Sequence, residues 1–153
     1  MDTEFLSRLL AMQHRQIDQG VAGIVDGTGD AKALLAALKL LREHVYVEEV
    51  ALFPRLAEAG LTMPVFVMKR EHGQMWPLIQ TLQAACAASA DVADMHETAR
   101  QLLQQLKMHN PKEEQIVYTA ADRYEPAHPN ESLAQAMAAA QMPEGWVCAM
   151  APH

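Results

Sequence analysis

Two stretches of this chain share a spacing that brings a base and an acid together. Leu41-Arg42-Glu43-His44-Val45-Tyr46-Val47-Glu48-Glu49 and Leu106-Lys107-Met108-His109-Asn110-Pro111-Lys112-Glu113-Glu114 both read Leu-x-x-His-x-x-x-Glu-Glu. An aromatic, Phe53 or Tyr118, stands five residues after the first Glu of each. On a helix, residues i and i+4 lie one above the other on one face. His44 with Glu48, and His109 with Glu113, can therefore reach one metal centre. A single pair of this kind is usually a surface feature, and its repetition inside a shared motif strengthens the signal. His14 and His72 add two further imidazoles on otherwise apolar stretches. Lone histidines of that kind are commonly hydrogen-bonded core residues, so the question is whether the fold brings all six groups to one place.

The elements that would position them are helices. Ala, Leu, Gln, Met and Glu are strong helix formers, and the chain of 153 residues is rich in them. Apolar residues recur every three or four positions from Thr3 to Val25, until Asp26-Gly27-Thr28-Gly29 interrupts them. Asp30 is a suitable N-cap for a second segment ending at Ala59, with Gly60 as its C-terminal cap. Thr62 is expected to cap a third segment, with Pro64 in its first turn, running to Ser89. Asp91 opens a fourth, reaching Tyr124. The fold class expected is all-α: an antiparallel up-down-up-down four-helix bundle over residues 1–125. Residues 126–153 are expected to form a C-terminal extension packed on it. That extension, broken by Pro126, Pro129, Pro143 and Pro152, holds one short helix over Asn130–Gln141 and Trp146 to pin the tail.

Equal distances from a shared loop mean equal height in such a bundle. With loops centred near 28, 60 and 90, His14 lies 14 residues before the first and His44 16 after it. Glu48 and His72 lie 12 residues on either side of the second, and His72 and His109 lie 18 and 19 from the third. His14, His44, Glu48, His72, His109 and Glu113 thus share a layer. Each sits on an apolar stripe: Leu10 and Ile17 around His14, Leu41 and Ala51 around His44, Met68 and Ile79 around His72, Leu102 and Ile116 around His109. Four imidazoles and two carboxylates in one buried layer are costly unless a charged species compensates them. A metal pair does so.

Other residues receive blander readings. His96 turns to the opposite face from His109 and is expected in solvent. Glu49 and Glu114 point about 100° from Glu48 and Glu113 and are expected in solvent or behind the ligands, as is Asp18 behind His14. Cys86 reads as a buried small hydrophobe, the ten methionines as gap fillers, and Cys148/Met150/His153 as a weak candidate soft-metal set. Pro54, Pro77 and Pro111 fall near the candidate ligands, and Pro111, between His109 and Glu113, should kink or bulge its helix.

Charge and composition narrow the classes. Nineteen acids against twelve Lys and Arg give a formal charge of −7. That argues against nucleic acid or an anionic membrane as partner. No apolar run approaches the ~18 residues of a membrane span, and two cysteines make no disulfide framework. The start, Met1-Asp2-Thr3-Glu4-Phe5, lacks the features of a signal peptide, so a cytoplasmic location is expected.

One His, then His-x-x-x-Glu, then one His, then His-x-x-x-Glu, on four successive helices, resembles the hemerythrin-like (HHE cation-binding) family. Local echoes are Glu48-Glu49-Val50-Ala51-Leu52-Phe53-Pro54, Glu71-His72 and His109-Asn110-Pro111-Lys112-Glu113-Glu114-Gln115-Ile116-Val117-Tyr118. The resemblance implies two non-heme iron ions, oxo- or hydroxo-bridged. His14, His44, His72 and His109 would be terminal ligands, and Glu48 and Glu113 bridging carboxylates. Oxygen-carrying members have a second His four residues after the third-helix His, where this chain has Trp76. The four-His set is closer to the repair-of-iron-centres proteins, which are associated with nitrosative and oxidative stress. With these six residues and one bridge, each six-coordinate iron keeps an open position, the mark of a reactive site. Imidazole and carboxylate without thiolate suit Fe, Mn or Zn. The expected ligand is a small diatomic or anion such as superoxide, peroxide, nitrite or nitric oxide, with a protein partner for electrons or iron transfer. Two other functions fit the same residues: an iron donor or store, and a structural, metal-stapled module.

Overall fold

The computed structural model describes residues 3–130 and 132–152, with side chains from residue 6 onward except that of Glu125. His153, one of the three candidate soft-metal residues, lies outside them. The elements are α1 (Thr3–Asp26), α2 (Ala31–Val47), α3 (Phe53–Glu58), α4 (Thr62–Ala87), α5 (Val92–Lys112), α6 (Tyr118–Ala127) and α7 (Leu133–Ala139). A π turn over Glu48–Leu52 joins α2 to α3, and a second over Glu113–Val117 joins α5 to α6. Four long rods result. α1 packs on α2 and α5, and α4 packs on the same two. No strand occurs among the described residues. The all-α bundle expected from the sequence is the fold observed.

The helix ends follow local chemistry. Asp30 Oδ1 accepts from the Ala33 N–H at 2.8 Å and caps α2. Gly60, at φ +108°, closes α3 with paired bonds, Leu61 N–H to Leu56 O and Gly60 N–H to Ala57 O. Thr62 does not cap α4: it is the first helical residue, and its hydroxyl donates back to Ala57 O at 3.4 Å. Pro126 does not end α6, which runs one residue past it to Ala127. α7 is shorter than expected and is capped by Ser132, whose Oγ accepts from Gln135 N–H.

Both π turns replace one i→i+4 bond by an i→i+5 bond: Phe53 N–H to Glu48 O, and Tyr118 N–H to Glu113 O. In an α-helix the fifth residue on would point about 140° away from the first. The wider turn swings it back over the Glu. The aromatic five residues after each Glu therefore returns to the core, where Phe53 and Tyr118 are 0% and 1% exposed. The extra residue also moves the apolar stripe along by one. Ile116, expected beside His109, is 48% exposed, and Val117 is buried in its place.

Apolar burial falls into two clusters. One centres on Ile17, Leu38, Trp76, Ile79 and Leu102. The other centres on Leu10, Phe53, Met68, Val117 and Leu133. Between them runs a buried polar layer. Met63 and Met108 lie exposed rather than filling gaps, and Cys86 is only partly buried, while Cys148 is buried.

The tail is fastened to this bundle. Trp146 stands edge-on to Tyr46 at 5.0 Å and to Trp76 at 5.5 Å, and its carbonyl accepts from Arg42 Nη2. Trp76 is fully buried, with the Arg42 guanidinium over its ring. Farther on, the tail crosses α4 at Gly73, where a Cβ would lie 2.3 Å from Met150 O. Gly73→Ala should therefore displace the tail and destabilise the protein by about 1–3 kcal/mol. Denaturant unfolding followed by tryptophan fluorescence measures this. An unchanged midpoint would mean the close approach is not maintained in solution.

Candidate metal centre

The polar layer consists of His14, His44, Glu48, His72, His109 and Glu113, each 3% exposed or less. α1, α2, α4 and α5 supply one imidazole apiece, and each π turn begins on a carboxylate. All six residues singled out in the sequence are brought together.

Each carboxylate spans two halves of the layer. Glu48 Oε2 lies 3.2 Å from His44 Nε2, and Glu48 Oε1 lies 3.3 Å from His72 Nε2. Glu113 Oε1 lies 2.9 Å from His14 Nε2, and Glu113 Oε2 lies 3.1 Å from His109 Nε2. One half is therefore His14, His44 and one oxygen of each Glu. The other is His72, His109 and the remaining oxygens. Two such groupings, His14-His44-Glu48-Glu113 and His72-His109-Glu113, bring donor atoms close enough to share a cation. Three buried atoms of the second half, Glu48 Oε1, Glu113 Oε2 and His72 Nε2, have no hydrogen-bond partner. Leaving such groups unpaired costs several kcal/mol, which a cation between them would remove.

Behind the layer, every imidazole turns its Nδ1 to an acceptor. His14 faces Glu114 at 2.9 Å, His72 faces Glu49 at 2.7 Å, His109 faces Glu71 at 2.9 Å and His44 faces Gln13 Oε1 at 2.7 Å. A carboxylate only accepts, so Nδ1 carries the hydrogen and a neutral ring presents its Nε2 lone pair to the centre. Glu49 is buried, held by His72 and by the Ala149 N–H of the tail at 3.0 Å. Glu114 is partly exposed, and Glu71 also pairs with Lys112. Asp18 stands farther back and accepts from Asn110 Nδ2 at 3.2 Å. His96 is exposed, as expected, and contacts Val25 O.

An approximate two-fold relation organises these contacts. The residue before each single His, Gln13 or Glu71, receives the Nδ1 of a His-x-x-x-Glu histidine. The residue after each central Glu, Glu49 or Glu114, receives the Nδ1 of a single His on another helix. The sequence reading did not anticipate Gln13 or Glu71 in this role. Nor did it anticipate Tyr118, whose hydroxyl enters the layer 2.7 Å from Glu48 Oε2 and 2.9 Å from Glu113 Oε1. The signal was the shared aromatic at the fifth position, which only a π turn makes meaningful.

Electrostatics inside the layer follow from burial against pairing. Burial alone would push the imidazoles down. For His44 the charge of Glu48 and contacts with Glu113 outweigh it and hold the ring up at about 9. His72, among Glu113, Glu48 and Glu49, is raised well above the usual range, and His109, beside Glu113 and Glu71, is raised. Burial and Glu113 push Glu48 up, but His44 and His72 leave it lowered. Burial likewise opposes the surrounding imidazoles at Glu113, which is held well below the usual carboxylate range.

A cavity of about 530 Å³, lined by Leu6, Leu10, Val47 and Met137 among others, reaches Gln13 and His44 from the side covered by α7. The model of the Hemerythrin HHE cation binding domain family matches residues 6–121. No curated protein and no solved structure matches the chain.

Protein stripped of metal should show the sign of these shifts. Raised imidazoles stabilise the fold fully below about 6.5, and that contribution is lost as pH climbs through about 9. The lowered carboxylates add stability above about 4.5 that is lost on acidification. Stripped protein should melt highest between these limits and lower toward pH 9. Metal affinity should rise over the same alkaline range, because the ligands must shed protons. A melting temperature that climbs from pH 6.5 to 9 in the stripped protein would contradict the paired arrangement.

Proposed function

Because the chain belongs to the hemerythrin HHE cation-binding family, we propose that it is a non-heme di-iron protein that binds or reduces a small oxygen or nitrogen species. His14, His44, His72 and His109 are the terminal ligands, and Glu48 and Glu113 the carboxylates shared by both metals. The observation that carries this reading is the division of each carboxylate, one oxygen toward each pair of imidazoles, with Glu48 Oε1, Glu113 Oε2 and His72 Nε2 left buried and unpartnered. An imidazole and carboxylate donor set fits iron. Iron there would supply one-electron chemistry toward oxygen, peroxide or nitric oxide.

The chain's own contribution is positioning and exclusion. The carboxylates and the lone amide behind the imidazoles fix each ring's orientation and sharpen its Nε2 as a donor. The two apolar clusters keep bulk water from both sides of the layer. Two divalent cations against the two shared carboxylates would leave a positive balance at the metals themselves, which favours small anions. Trp76, standing where a carrier has its fifth His, is committed to packing against Trp146. A role as reversible oxygen carrier is correspondingly disfavoured.

Iron-reconstituted protein should hold close to two irons per chain. Glu48→Ala and Glu113→Ala should each lower that content, since each removes a ligand of both metals, whereas His96→Ala should leave it unchanged. The visible spectrum of anaerobically prepared ferrous protein should change on exposure to air and to nitric oxide. A clean stoichiometry of one sinks the dinuclear reading. Full loading without any spectral response would favour the structural module, and ready loss of iron to an acceptor protein would favour the donor.

A further inference from the structure

Among the described residues, Tyr118 is the group inside the layer that a ligand set of four His and two Glu leaves without a purpose. Its hydroxyl oxygen lies within 3.0 Å of four atoms: Glu48 Oε2 at 2.7 Å, Glu113 Oε1 at 2.9 Å, His44 Nε2 at 2.9 Å and His14 Nε2 at 3.0 Å. These are the four donor atoms of one half-site. A phenol has one proton to give and two lone pairs. With Nδ1 of each imidazole turned to its rear acceptor, a ring that has shed its Nε2 proton, as metal binding requires, aims a lone pair at that oxygen. One proton cannot satisfy two carboxylate oxygens and two imidazole lone pairs. A cation among them can.

The approximate two-fold relation isolates what the hydroxyl adds. Phe53 occupies the equivalent position, at the end of the other π turn, and stacks on His72 at 5.6 Å. Tyr118 stacks on His14 at 5.4 Å in the same manner. The ring therefore suffices for packing, as Phe53 demonstrates, and the oxygen is the only difference. The relation breaks at one other place among these partners. Gln13 backs His44 with a neutral amide, where Glu71 backs the matching His109 with a carboxylate. Both exceptions fall in the same half-site. The half short of a carboxylate behind its imidazoles is the half with a phenol in front.

We infer that Tyr118 is a seventh protein ligand of the centre, its oxygen binding, as phenolate, the metal held by His14 and His44. The phenol proton passes to solvent as the cation arrives, because a bound cation favours the anionic form of the group it touches. The two metals are then unequal. The His14–His44 metal is richer by one protein ligand, and the His72–His109 metal keeps the free position. This inference rests on the di-iron reading above and deepens it.

The test is resonance Raman and visible absorption of the diferric protein, with iron counted in every sample. The wild type should show a strong phenolate-to-iron charge-transfer band whose Raman spectrum carries tyrosine ring modes. Those modes should shift in protein grown on ring-deuterated tyrosine, a measurement on the unaltered chain. Tyr118→Phe should lose the band while keeping its iron, and Tyr46→Phe and Tyr124→Phe should retain it. Fully loaded wild type without tyrosine modes overturns the assignment and leaves the di-iron reading standing. Modes that survive Tyr118→Phe also overturn it. Failure of the wild type to take up iron defeats both readings together.

Discussion

Two ionisable carboxylates and four imidazoles lie in a layer with almost no access to water, and the rest of the structure follows from that constraint. Taking ionised groups out of water costs several kcal/mol each, and their mutual attraction recovers this only with good geometry and satisfied partners. The bundle answers from two directions. Behind the layer, Glu114, Glu49, Glu71 and Gln13 take the outward-facing nitrogens. In front, every remaining lone pair converges on two small volumes. A sequence without a cation to bind would gain by replacing this layer with leucine.

The π turns are how two helices meet that demand. A regular helix has three or four positions per face, and each of these two helices must offer an imidazole, a carboxylate and an aromatic to the same point. The extra residue in the turn lets the aromatic five positions after the Glu, rather than three or four, be the third. It also lets the second Glu of each pair reach a neighbouring helix, so that Glu49 and Glu114 orient imidazoles they do not share a helix with. Pro54 and Pro111 stand beside these widened turns.

Much of this was legible from residue spacing. Loop positions placed all six central residues at one height, because helices rise by a constant amount per residue. Trp146, read from the sequence as a residue to pin the tail, stands against Tyr46 and Trp76. What spacing did not reveal was phase. Ile116 was assigned inward by an unbroken helical period, and Val117 took its place once the π turn advanced the register. The same slip concealed Tyr118, whose fifth position points away from Glu113 on any ideal helix. Glu71 and Gln13 were passed over for a different reason. Their partners lie on other helices, and a residue next to a histidine gives no local sign of which imidazole it will reach.

The division of the apolar core has a mechanical consequence. Ile17, Leu38, Ile79 and Leu102 grip the four rods at one end, while Leu10, Phe53, Met68 and Val117, with Leu133 of α7, grip them at the other. Among the described residues, the buried apolar side chains form two separate clusters rather than one continuous core across the polar layer. The molecule behaves as two short bundles in series, sharing the same four rods and joined by a rivet. With the rivet set, a disturbance at either end must strain the other, and the bundle opens as one body. With it drawn, each end is free to loosen alone, and the end carrying α7, where short α3 and α6 stand beside α1 and α4, is built from the shorter elements.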